Sequence, residues 1–186
     1  AGTRRRGRSP EEDLALMKEL LADKKEVSEH DMLVDLSKQD LMKVCETDSI
    51  TVPIYKEIEM YEHVMHIVSE VHGQMKKNMT SFDALLACLP AGTVSGSPKL
   101  RAMQIINELE TEKRGFYGGG IGYIGFNHDV NMALAIRSLI IKNDMAYLQT
   151  GAGIVKDSDP QMEFLETIHK ARSLVEVNKN AMAQAD

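Results

Sequence analysis

Apolar residues recur three and four apart through the first forty-odd positions, the spacing of a buried helical face. Ser9-Pro10-Glu11-Glu12 reads as an N-cap, a proline in the first turn and acids at a positive helix end. The helix begun there carries Leu14, Met17, Leu20 and Leu21 and should stop near Asp23. A second helix is expected from Lys24 to about Val44, with Val27, Leu33, Leu36, Leu41 and Val44 as its stripe. Near residue 50 the period shortens. Ile50, Val52, Ile54, Ile58 and Met60 fall two or four apart and predict a strand, and Val64, Ile67, Val68 and Val71 predict another ending at Gly73.

Phe82 to Cys88 reads as a short helix capped by Ser81. Residues 90–99 (PAGTVSGSPK) form a Gly/Pro/Ser loop leading into a helix from Pro98 to about Glu110. Three strands follow at 119–126, 131–142 and 145–150, then a helix from Pro160 to about Val177. No repeat or linker interrupts this order. Residues 1–186 therefore read as one continuous α+β unit with largely antiparallel strands, since helices do not alternate with strands as βαβ units require.

Composition narrows the function classes. Only Cys45 and Cys88 are present, too few for a disulfide framework or a CxxC zinc site, and a reducing, cytoplasmic setting follows as the expectation. No apolar run reaches the roughly 18 residues that span a bilayer, and no signal peptide opens the chain, so no membrane partner is expected. The net charge of −6 argues against nucleic acid. Arg4, Arg5, Arg6 and Arg8 do not change this, because Glu11, Glu12 and Asp13 lie close enough to neutralise much of their charge. The first residue is Ala, in an Ala-Gly-Thr run, which suggests a piece of something longer.

Several residue sets have the chemistry of a site. Glu26 and Glu29 lie three apart on one helix and Glu163 and Glu166 on another, so each pair leaves one helical face. Two facing pairs suit a hard divalent cation such as Mg²⁺; such pairs are also common on solvated helices, and spacing alone leaves both readings open. Gly92, Gly96, Ser97 as the helix cap, Pro98 in the first turn and Lys99 would make an anion-binding helix N-terminus or a ligand-free capped loop, and their spacing is not that of a Walker loop. Gly118, Gly119, Gly120 and Gly122 lead into a strand rather than a helix, which rules out a dinucleotide fingerprint.

Arg137 lies within the apolar run MALAIRSLII, where it must pair with an Asp or Glu or face an anionic ligand in a cleft. Gly151-Ala152-Gly153 offers backbone donors, and Lys170 lies one turn past Glu166. His63 and His66 would face opposite sides of a strand, so they are no zinc pair, although either has the chemistry of a general acid or base.

Taken together, AGTRRRG (1–7), SEHDMLVDL (28–36), HVMHIVSEVHG (63–73), PAGTVSGSPKLRAM (90–103), RGFYGGGIGY (114–123), TGAGIVKDSDP (150–160) and the closing E-x-x-E-x-x-x-K (163–170) resemble the chorismate-utilising enzymes. The resemblance runs through essentially all 186 residues and places them in the C-terminal part of one catalytic domain, without its upstream half. The PAGTVSG form of the central loop points to the anthranilate-forming members. Those convert chorismate and ammonia to anthranilate and pyruvate, on the route to tryptophan.

The resemblance implies Mg²⁺ on Glu29 and Glu166, with Glu26 and Glu163 beside it. Gly2, Thr3, Tyr117, Arg137, Gly151, Ala152 and Gly153 would contact chorismate, Lys170 would balance charge near the metal, His66 would serve pyruvate elimination, and Thr93 lies in the substrate loop. It also implies a glutamine amidotransferase subunit that supplies ammonia. Ser37-Lys38-Gln39-Asp40 replaces a common Ala-Arg-Asn-Asp, Asn131 a common Asp, and Leu89 a frequent Phe, and none of these removes a metal or substrate group. The competing readings are a member that makes aminodeoxychorismate, isochorismate or salicylate, and a chorismate-binding relic without turnover.

Overall fold

The computed structural model describes residues 2–183. In chain order the elements are β1 (Thr3–Arg5), α1 (Pro10–Ala22), α2 (Lys24–Val44), β2 (Thr51–Met60), β3 (Val64–His72), α3 (Ser81–Cys88), α4 (Lys99–Leu109), β4 (Gly120–Ile124), β5 (Val130–Leu134), β6 (Leu139–Lys142), β7 (Met145–Leu148) and α5 (Pro160–Ala183). Single 3₁₀ turns at Thr47–Ser49 and Gly92–Val94 complete the order. The architecture is α+β. Every strand pair among the described residues is antiparallel, in sheets ordered β1-β3-β2, β4-β5 and β6-β7.

The core sits where α1 crosses the first sheet. Leu20, Met65 and Ile67 are fully enclosed, with Leu16, Met17, Val27 and Ile58 against them. Enclosing each of the three is worth roughly 1.5–3 kcal/mol before entropy is counted. The face expected for α1 is corrected in part: Leu14 and Leu21 are exposed, and Leu16 faces inward with Met17 and Leu20. On α2 the most enclosed residues are His30, Val34, Leu36, Asp40 and Val44, a stripe with two polar members.

Side-chain caps fix the starts of the first two helices. Ser9 accepts from the Glu12 amide at 3.3 Å, and Asp23 ends α1 and caps α2 by accepting from the Lys25 and Glu26 amides. The arginine run is a set of clamps on α1. Arg4 pairs with Glu19 and Asp23, Arg5 with Glu12, and Arg6 with Asp13. β1, unsignalled by apolar spacing, is held by these pairs and by its register Thr3↔His66 on β3.

Three local expectations change. Thr80, not Ser81, caps α3, in a reciprocal box with Asp83. Pro98 rather than Ser97 caps α4, without a side-chain hydrogen bond. The run 131–142 is broken into β5 and β6, and Arg137 lies in the break with φ of +50°, in the left-handed region an arginine rarely adopts. No helix among the described residues is long and apolar enough to cross a membrane.

Candidate functional site

Two helices and one loop bring the acidic residues together. The first turns of α2 carry Lys25, Glu26 and Glu29, and α5 carries Glu163, Glu166 and Lys170. Between them runs the segment 150–159, tied to α5 by the Thr150 hydroxyl on the Thr167 carbonyl (3.1 Å) and by Asp159 Oδ1 accepting from the Met162 amide (2.9 Å).

Glu163 is enclosed, and its Oε1 accepts from Lys25 Nζ at 2.5 Å. Burial pushes this carboxyl upward, but hydrogen bonds from Lys25 and Ser158 outweigh it and hold Glu163 below the usual glutamate range. Glu166 pairs with Lys170, whose Nζ also donates to the Gly151 carbonyl at 3.0 Å. Glu29 has no such neutralising bond. Burial, and then the charges of Glu26 and Glu166, raise it above the usual range. Its carboxylate lies against Gly153, where a Cβ would be only 2.2 Å from Oε1.

On the other side, Thr3 Oγ1 and His66 Nδ1 share a hydrogen bond of 2.9 Å, and the Tyr61 ring lies 5.5 Å from the imidazole. Burial pushes His66 below the ordinary imidazole value, with the Arg137 charge acting in the same direction, so the ring is neutral near pH 7. His63 is exposed just before the start of β3, and its ring pairs with Glu62. Tyr117 sits in the turn before β4. That turn is fixed to the end of β5 by Gly118 N–H on Ala135 O (2.9 Å) and Ala135 N–H on Gly119 O (2.8 Å).

These bonds explain why Tyr117 and Arg137 share one region. Burial raises the Tyr117 phenol, and the Arg114 and Arg137 charges oppose that rise. A Cβ on Gly151 would sit 3.1 Å from the Tyr117 hydroxyl. Arg137 is exposed, and among the described residues no Asp or Glu pairs with it, which removes the structural ion pair left open by the sequence.

The site residues are thus linked, by direct contact or by charge, through Gly2, Thr3, His66, Arg137, Tyr117, Gly151, Gly153, Glu29, Glu26, Glu166, Glu163 and Lys170, with Ala152 in the chain between the two glycines. Gly2 is packed so tightly that a Cβ would lie 2.8 Å from Ile67 Cδ1. Thr93 is connected to them through its neighbour Val94, which packs on Gly118. Periodicity does not reveal Lys25, 138 residues from Glu163, or the Arg4–Asp23 pair that ties β1 to the cap of α2. A cleft of about 320 Å³ opens beside Lys24, Lys25, Ser28, Val155, Lys156 and Asp157, to one side of the predicted residues.

Among the described residues no three His, Cys, Asp or Glu side chains converge closely enough to coordinate one ion. The donor set nevertheless fits a hard cation. Three carboxylates from two helices repel one another at Glu29, and Lys25 and Lys170 occupy the places of counter-charge on Glu163 and Glu166.

A family model described as chorismate binding enzyme matches residues 1–176. The chain belongs to that family. Its relatives include component 1 of anthranilate synthase from Neisseria meningitidis serogroup B, 52% identical over 94% of this chain, and from Acetivibrio thermocellus, 52% identical over 97%. This chain spans 36% and 37% of those relatives' lengths. Its fold matches crystalline anthranilate synthase component I from Streptococcus pneumoniae TIGR4 with a TM-score of 0.83, at 55% identity over 88% of this chain and 38% of that one. The menaquinone-specific isochorismate synthase of Escherichia coli matches with a TM-score of 0.82, at 27% identity over 94% of this chain and 40% of that one. The α+β expectation and the family resemblance both hold.

Proposed function

We propose that residues 1–186 are part of the catalytic domain of an anthranilate synthase component I, acting in the cytoplasm on chorismate, with ammonia from a glutamine amidotransferase subunit. The observation that carries this reading is the meeting of Glu29, Glu166, Lys170 and the Gly151–Gly153 backbone, opposite a free arginine and a neutral histidine. That is an environment for a cyclic dicarboxylate. Sequence identity above 50% to anthranilate synthase chains supports the anthranilate-forming reaction over the others of the family.

Chorismate reacts in two balanced steps. Ammonia forms a C–N bond at the ring carbon next to the enolpyruvyl ether while the ring hydroxyl departs with a proton as water. The ether C–O bond then breaks, a ring proton moves to the departing enol carbon, and pyruvate leaves an aromatic ring. Mg²⁺, held by Glu29 and Glu166 with Glu26 and Glu163 beside them, would screen the substrate carboxylate and assist loss of the hydroxyl. Arg137 grips a carboxylate through its planar fork, and the Gly151–Gly153 backbone and the Tyr117 hydroxyl orient the ring. His66, neutral and hydrogen-bonded to Thr3, would move the proton of the second step, and Thr93 lies in the substrate loop. Lys170 keeps the acidic cluster near charge balance.

Cys45 is enclosed, and burial pushes the half-buried Cys88 thiol up, so neither suits a glutamine-hydrolysing nucleophile. This supports an ammonia source on another subunit. The test is product analysis by mass spectrometry of the full-length chain with chorismate, ammonium and Mg²⁺. Anthranilate and pyruvate are expected. Aminodeoxychorismate, isochorismate or salicylate as the product would overturn the assignment, and chorismate binding without any product would identify a relic.

A further inference from the structure

We propose that Arg114 is a positioning residue that holds the Gly92–Val94 turn, and with it Thr93, against the Tyr117 side of the site. It rests on the reading of Tyr117 as a substrate contact and of Thr93 as part of the substrate loop, and extends that reading to Arg114, for which the resemblance implied no role. Arg114 lies between α4 and β4, outside every helix and strand, yet its guanidinium meets three partners. Nε and Nη2 donate to the two Glu110 carboxylate oxygens at 2.9 and 2.6 Å, a fork-to-fork pair. Nη1 donates to the Val94 carbonyl, next to Thr93 in sequence. The guanidinium carbon stands 5.6 Å from the Tyr117 ring centroid, within cation–π range.

The turn behind it reinforces the grip. Tyr117 N–H donates to the Arg114 carbonyl at 2.9 Å, which closes the turn. Gly118 then takes φ of +78°, and a Cβ there would lie 3.3 Å from Val94 Cγ2. Val94 is therefore held by its carbonyl and by its side chain. Among the described residues, the Arg114 hydrogen bond is the polar tie between this loop and the Tyr117 turn. On the loop's opposite side the contact is apolar, where Gly92 lies against Leu36.

A guanidinium is suited to the task because one rigid plane can fork to a carboxylate, reach a carbonyl and stack on a ring. A lysine offers a single point donor that cannot do all three. With Arg114 removed, Thr93 would keep its chain connection but lose its fixed distance to Tyr117. Chorismate would then bind to a loop that must be ordered on binding, and the cost would fall on chorismate rather than on ammonia.

The test uses the full-length chain assayed with chorismate, ammonium and Mg²⁺. Arg114→Ala should raise KM for chorismate at least about tenfold, leave KM for ammonium within about twofold, and regain several-fold activity with millimolar guanidinium ion. Arg114→Lys should resemble Arg114→Ala, and Glu110→Gln should raise KM for chorismate about threefold. An active parent whose Arg114→Ala variant keeps its chorismate KM within about twofold would overturn this inference alone. So would a loss that follows a fall in Tm, that guanidinium does not reverse, and that Glu110→Gln does not share. A parent chain that makes no product would bring down the functional reading and this inference with it.

Discussion

The Glu29 carboxylate occupies the space that a side chain on Gly153 would need: a Cβ built there lies 2.2 Å from Oε1 and 2.9 Å from Cδ. The clash is with the far end of a flexible side chain, so the chain can relieve it by swinging Glu29 away. Gly153→Ala should therefore cost little stability and much function. In the full-length chain, Tm should stay within a few degrees while turnover with saturating chorismate falls at least about tenfold and the Mg²⁺ requirement rises. Near-parental turnover would show that the Glu29 position in this structure is not the working one.

Lys25 and Glu163 form an ion pair in which the carboxylate side chain is 5% exposed and the amine side chain 34%. Removing the amine alone leaves a charge in an enclosed place. Lys25→Met should lower unfolding stability by about 2–3 kcal/mol, short of the full penalty for a buried pair because a third of Lys25 already meets water. Adding Glu163→Met to that variant should restore most of the loss, since two apolar groups replace the pair. Equilibrium urea unfolding of the single and double variants decides it, and an additive double variant would mean the pair is uncoupled.

Asp13 sets a pH dependence. Hydrogen bonds from the Arg6 guanidinium and then from the Gly7 amide hold its carboxyl at about 2. The unfolded value lies near 3.9, so the folded pKa is the depressed one, and ionised Asp13 contributes stability above about pH 4. That contribution is lost as pH falls toward 2. Asp13→Asn should thus lower the urea midpoint at pH 7, with a gap from the parent that narrows below pH 4 and closes near pH 2. A gap that is constant across this range would assign the effect to packing instead of charge.

Much of this site is legible along the chain because its carriers are local signals. The cap at Ser9, the helix stop near Asp23, the E-x-x-E pairs and the glycine runs depend on neighbours within four residues. What escapes is long-range or breaks a local rule. β1 reads as a charge run because its apolar partner, β3, lies sixty residues away and its own side chains serve α1. The break at Arg137 escapes because positive φ is a habit of Gly and Asn, and nothing in an apolar run announces it. Thr80 was readable, since Thr80-x-x-Asp83 is a capping-box pattern, but the adjacent Ser81 offers the same chemistry one residue later. Lys25 could not be assigned because lysines on helix N-termini carry no signal of a carboxylate 138 residues on.

These 186 residues alone should not turn chorismate over. The chain spans 36–38% of the relatives named here at above 50% identity, and its surfaces look like parts of a larger assembly. β4 and β5 form a sheet of only two strands, with Ile121, Tyr123 and Ile124 exposed, and β6 and β7 form another with Ile141, Met145 and Tyr147 exposed. Two-stranded sheets are marginal in water without a covering layer, and open strand edges beside apolar faces favour self-association. The β5–β6 break carries Arg137, and the turn before β4 carries Tyr117, so loosening of these sheets would scatter the proposed substrate contacts before it affected the α1–β3 core. With chorismate, ammonium and Mg²⁺, anthranilate fluorescence from the isolated chain should stay at least about a hundredfold below that of the full-length protein. Size-exclusion chromatography should show species larger than 20.7 kDa. Turnover within about tenfold of the full-length protein by a monomer would mean that the acidic cluster, the arginine and the histidine are held in place by this chain alone.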